Sequence, residues 1–116
     1  MPGHFWRKEV IQPALSRDVE AVVAEQQAIL TKGPNNAGAY FALGTLSHFQ
    51  GEIEHAVQYF QKSIELDPAN PAPHLNLGRL YAVRGEYQLA WKHARAAEAL
   101  GAGDLVEMLE RYPNLK

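Results

Sequence analysis

The sequence has no cysteine, no block of like charge and no long apolar run. Without cysteine there are no disulfides, no thiolate nucleophile and none of the common cysteine-bearing zinc sites. Eleven basic and thirteen acidic side chains give a formal net charge of −2 and are interspersed along the chain, so the basic stripe that marks nucleic-acid binding is missing. No apolar stretch approaches the roughly 20 residues needed to cross a bilayer. The first residues, MPGHFWRKEVIQPAL, lack the uninterrupted apolar region of a signal peptide. A cytoplasmic protein is the expectation, although an exported form with its signal removed is compatible with the same residues. What is present, 47% hydrophobic and 21% charged residues in a chain of 116, is the balance of one small folded domain.

The chain is organised by a repeat. AGAYFALGTLSHFQGEIEHAVQYFQKSIELDPAN, from Ala37, superimposes on PAPHLNLGRLYAVRGEYQLAWKHARAAEALGAGD, from Pro71, at an offset of 34 residues. The register pairs Leu43-Gly44 with Leu77-Gly78, Gly51-Glu52 with Gly85-Glu86, Ala56 with Ala90 and Pro34 with Pro68. Within the first unit Tyr40, Leu43, Leu46 and Phe49 recur at helical spacing. Gly51 interrupts the pattern, and a second one follows at Ile53, Ala56, Val57, Phe60 and Ile64. The second unit repeats this with Leu75, Leu77, Gly78 and Tyr81, then Tyr87, Ala90, Trp91, Ala94 and Ala97. A short turn makes each helix pair antiparallel. Pro68 disfavours helical geometry at Asp67 and closes the first unit.

The flanks read as partial units. Val19, Val22, Val23, Ile29 and Leu30 predict a helix over 18–31, the second helix of an incomplete unit spanning 18–36. Its first helix would come from His4 to Gln12, ending before Pro13, within an N-terminal segment 1–17. Asp104 followed by Glu107 has the form of an N-cap and capping box. Leu105, Met108, Leu109 and Tyr112 then line one face of a capping helix over 105–112, with a tail at 113–116. A repeat stack needs such a cap over its last apolar face.

These residues resemble the tetratricopeptide repeat family, whose period is 34 residues. The matching positions are Tyr40, Leu43, Gly44, Ala56, Phe60 and Pro68 in unit 37–70, and Leu77, Gly78, Tyr81 and Ala90 in unit 71–104. Ser47 stands where the family has tyrosine, His74 replaces an aromatic residue, Ala94 stands where Phe60 stood, and Ala102 replaces the closing proline. The resemblance implies an all-α fold of antiparallel helix pairs stacked as a short right-handed superhelix. It also implies a non-catalytic interaction or scaffold module, with a concave groove lined by the first helices that takes a peptide or helical segment.

Carried onto this chain, the groove positions are Phe41, Thr45, His48 and Phe49 in the first unit and Ala72, Leu75, Asn76, Arg79 and Val83 in the second. Asn76 and Arg79 are three apart and share a face, suited to a peptide backbone and a carboxylate. The carboxylate clamp of some family members is not matched, because Phe41 and Thr45 stand where it uses lysine and asparagine. The alternative is a self-assembling subunit, a homo-oligomer or a seat on a larger complex, joined through exposed members of the set Phe5, Trp6, Trp91 and Tyr112. For Trp91, burial against the final helix through Leu105 and Met108 is the favoured place.

Catalysis has little support. His4, His48, His55, His74 and His93 form no H-E-x-x-H pair, although His48 and His55 could meet across the Gly51 turn. His93 reads as a surface residue. Ser47 and Ser63 lack a turn-borne nucleophile context. No enzyme activity, cofactor or metal is expected, and the expected partner is a protein or peptide rather than nucleic acid or a membrane interior.

Overall fold

Helical periodicity with a break at each turn residue gives six helices in a computed structural model, which describes the backbone of residues 3–112 and the side chains of 18–112. They are α1 (Gly3–Lys32), α2 (Ala37–Phe49), α3 (Ile53–Leu66), α4 (Ala72–Val83), α5 (Tyr87–Ala99) and α6 (Asp104–Glu110). Among the described residues there is no strand. The chain is thus all-α, with α2 and α3 forming one helix pair and α4 and α5 the next. Helix α1 packs on α2, α3 packs on α4, and α6 rests on α5 and α4.

Each turn within a pair uses the same backbone device. Gly51 and Gly85 adopt φ of 81° and 80°, the left-handed region that glycine enters without a Cβ clash. In the second turn Gly85 N–H donates to the Ala82 carbonyl and Glu86 N–H to the Tyr81 carbonyl, so the last carbonyls of α4 are satisfied. The junctions between units use asparagine. Asn36 Oδ1 accepts from Ala39 N–H at 3.0 Å and caps α2, and the equivalent Asn70 Oδ1 accepts from Ala72 N–H at 3.0 Å.

The core runs through both pairs and the end helix: Ala56 and Phe60, then Leu77, Leu80 and Tyr81, Ala90, Trp91 and Ala94, and finally Leu105, Val106 and Leu109. The two Leu-Gly glycines are packing glycines, but different side chains cover them. A Cβ at Gly44 would lie 2.7 Å from the Phe60 ring. At Gly78 the covering atom is Leu105 Cδ2 of α6, with Ala90 O and Ala94 N behind it. Ala94 holds the place of Phe60 in the second unit, so its small side chain leaves space over Gly78. Leu105 fills that space.

Two expectations are corrected here. Helix α1 is continuous from Gly3 to Lys32, so the chain does not reverse at Pro13 and His4–Gln12 is not a separate first helix. Pro13 removes one backbone donor, but no glycine lies between Gly3 and Gly33 to make a reversal easy. At the other end, Asp104 is the first residue of α6 rather than its cap; the cap position is Gly103, and it makes no side-chain hydrogen bond. Leu105, Val106 and Leu109 are buried there, while Met108 and Tyr112 are exposed. The expected tail, 113–116, lies outside the described residues, as do the side chains of Phe5 and Trp6.

Candidate binding faces of the first helices

Helices α2 and α4 each bury one face against their second helix and leave part of the rest uncovered. On α2 the uncovered positions are Gly38, Thr45, His48 and Phe49; on α4 they are Arg79 and Val83. Phe49 is 70% exposed and Val83 is 89% exposed. These two are repeat equivalents, 34 residues apart, and each is the last residue of its helix. Thr45 Oγ1 donates to the Phe41 carbonyl one turn back at 3.1 Å, so its polarity is partly spent inside α2. Asn76 is half-buried beside the exposed Arg79.

Two further expected groove residues are partly packed against the core. Phe41 is half-buried with its ring 5.7 Å from that of Phe60, and Leu75 is likewise half-buried against the core. Both first helices are contacted by more than their own second helix, since α1 lies on α2 and α3 lies on α4. Positions next to the main packing face are therefore drawn inward. Trp91 is 8% exposed, a member of the core with Arg95 stacked over its ring at 4.9 Å, and it offers no seam at the surface.

The turn edge adds charge. Arg84, at the end of α4, reaches Glu54 on α3 at 3.1 Å and Glu86 at 3.2 Å, tying the two units together across 30 residues of sequence. These groups are substantially exposed, so the network contributes about 1 kcal/mol or less per pair. His55 lies 3.8 Å from Glu52 within its own helix start.

The feature that was not anticipated is a histidine pair. His74 Nδ1 of α4 and His93 Nδ1 of α5 are 3.0 Å apart, and Tyr81 stacks on His93 at 5.7 Å between centroids. His93 is 9% exposed, which corrects its expected surface placement. Burial, then His74, then Lys92 hold its pKa down at about 4. Burial and then Lys92 lower that of His74. The signal was in the repeat register. His74 and His93 occupy the places of Tyr40 and Tyr59, whose rings pack at 6.3 Å in the first unit.

The fold and its open faces define a helix-pair repeat protein. The family described as TPR repeat matches residues 46–85, which accords with the resemblance read from the sequence. Repeats of this class mediate protein–protein interaction. The chain is 32% identical over 81 residues, 69% of its length, to a protein named as a probable biofilm formation methyltransferase, WspC, from Pseudomonas putida. It is 33% identical over 54 residues, 47% of its length, to the BBSome complex member BBS4 from Bos taurus. The chain spans 19% of the first of these proteins and 10% of the second.

Proposed function

We propose that the chain is a non-catalytic binding module that takes an apolar or amphipathic peptide segment, extended or helical, across the open faces of α2 and α4. The observation that carries this is the pair Phe49 and Val83, two large apolar side chains left exposed at equivalent places on successive first helices. Neither contributes to the core, so folding alone gives no reason for them. Thr45 and His48 extend the face on α2, and Asn76 and Arg79 supply an amide and a guanidinium on α4 for backbone carbonyls and a carboxylate. Phe41 and Leu75 support these faces from below rather than forming them. That one relative is named as a complex member accords with an assembly role. The methyltransferase name belongs to a protein of which this chain spans a fifth, and we carry over no methyl transfer from it.

The test captures a partner from the native cell on the wild-type protein, then titrates its bound segment calorimetrically against wild type and the double variant Phe49→Ser, Arg79→Glu. Both residues are exposed, so the variant should keep its fold and melting temperature. Affinity is expected to fall at least tenfold; unchanged affinity would remove α2 and α4 as the site.

A second reading, self-assembly, draws on Val22 and Ile29, which stand seven residues apart on α1 and are each more than a third exposed. Tyr112 is also exposed beyond α6. Sedimentation at several concentrations separates the two readings, a monomer throughout excluding assembly through these ends.

A further inference from the structure

The His74–His93 pair has no counterpart in the first repeat, where two tyrosines fill the same places, and nothing in peptide binding requires it. We propose that the pair is an acid-sensitive latch that holds α4 to α5 and releases the last helix pair when it takes up two protons.

The argument starts from the ring nitrogens. At 3.0 Å between the two Nδ1 atoms, one carries a proton and donates, and the other accepts through its lone pair. A first proton added to the pair can go to the outer nitrogen of the donor ring. The bond between the rings then survives as a charge-assisted one. A second proton must occupy the accepting Nδ1. Two N–H groups then face each other at contact distance, with two positive charges behind them and no lone pair between. The bond is replaced by repulsion.

The surroundings give that second charge little relief. Lys92 on α5 is the fixed charge acting on both rings, and it has the wrong sign. The Tyr81 ring covers His93 from α4. Glu54 from α3 and Glu86 from the α4–α5 turn act on the Tyr81 phenol, opposed by Arg84. Helix α6, packed on both α4 and α5, has Asp104, Glu107 and Glu110 exposed to solvent. Opening the pair to water is therefore the route by which it can take up the second proton.

The sign follows from linkage. A histidine whose folded pKa is depressed binds fewer protons folded than unfolded, so stability is complete above the unfolded value near 6.5 and falls as pH drops towards 4. Opening would carry Asn76 and Arg79 away with α4. That consequence for binding rests on the groove reading above, whereas the latch itself does not.

The experiment exchanges the pair for that of the first repeat. Wild type and the double variant His74→Tyr, His93→Tyr are unfolded in urea at a series of pH values from 7 to 4, without ligand. Between those limits the wild-type unfolding constant is expected to rise about a hundredfold more than that of the variant. Ring-proton NMR of wild type gives an independent reading, with His93 remaining neutral in the folded protein at pH 5. Equal pH dependence in the two proteins overturns the latch. So does a His93 that titrates near 6.5 with the fold intact, a result that needs no variant to fold.

Discussion

The exchange of covering side chains over the two Leu-Gly glycines makes a quantitative prediction. Leu105 is fully buried and its Cδ2 lies over Gly78, in the space that the Phe60 ring occupies over Gly44. Leu105→Ala removes this cover and leaves a cavity lined by Gly78 and Ala94, at a cost of about 3–5 kcal/mol. A domain of this size has about 5–15 kcal/mol in total, so the loss is a large share of the stability. Ala94→Phe alone puts a ring where Leu105 already sits and should cost about 1–3 kcal/mol through overpacking. If the two side chains compete for one space, combining them should recover part of both losses. The double variant is expected to be at least about 1.5 kcal/mol more stable than the sum of the single effects. Urea unfolding followed by circular dichroism measures all four corners of this cycle. Additivity within about 0.5 kcal/mol would refute the idea that Leu105 does for the second repeat what Phe60 does for the first.

Two further predictions concern the backbone devices. Gly44→Ala and Gly85→Ala should both destabilise, for different reasons: the first by about 1–3 kcal/mol against the Phe60 ring, the second by about 1 kcal/mol because its φ of 80° strains any L side chain in open space. Thermal melts of Gly44→Ala with Phe60→Leu tell the two apart, since only the Gly44 cost should shrink when the ring is removed. Asn36→Ala removes the cap on α2 and should cost about 0.5–2 kcal/mol, with amide exchange rising first in the opening turn of that helix; unchanged exchange there would show that the cap contributes nothing.

Much of this fold is legible in the residues because two local rules agree with one long-range rule. The 3.6-residue spacing of Leu43, Leu46 and Phe49, or of Ala56, Val57 and Phe60, marks helices, and the glycines at 51 and 85 mark the reversals. The 34-residue register then requires the two pairs to have one geometry. Even the approach of Gly78 to Ala90 is readable, since both positions carry the smallest side chains that the pattern allows. The cover over Gly78 is not, because Leu105 lies outside the register of the residue whose volume it replaces. Helix α1 is not readable either: a proline in a helical pattern states where a break is tolerated, not where one occurs.

The candidate faces divide in the same way. Phe49 and Val83 are predictable as exposed because each ends its helix two residues before a turn glycine. Phe41 and Leu75 are not, because their burial depends on which neighbouring helix lies alongside. Residue type alone does not place His93, since histidine is intermediate between surface and core. Its alignment with Tyr59 carries the correct placement.

The second repeat therefore differs from the first in what holds it. In the first unit Phe60 covers Gly44 and two tyrosines pack together, so its packing is internal. In the second unit the cover comes from α6 and the aromatic pair is replaced by histidines. Helix α6 has seven residues, too few to form a stable helix alone. It stays folded because Leu105, Val106 and Leu109 are buried on α4 and α5, each contributing about 1.5–3 kcal/mol. Release of α5 from α4 removes the α4 part of that seat, and with it the cover over Gly78. The histidine pair and the Leu105 plug thus stabilise one another through the same two helices, and a weakening of either is felt on α4, the helix that carries Asn76, Arg79 and Val83.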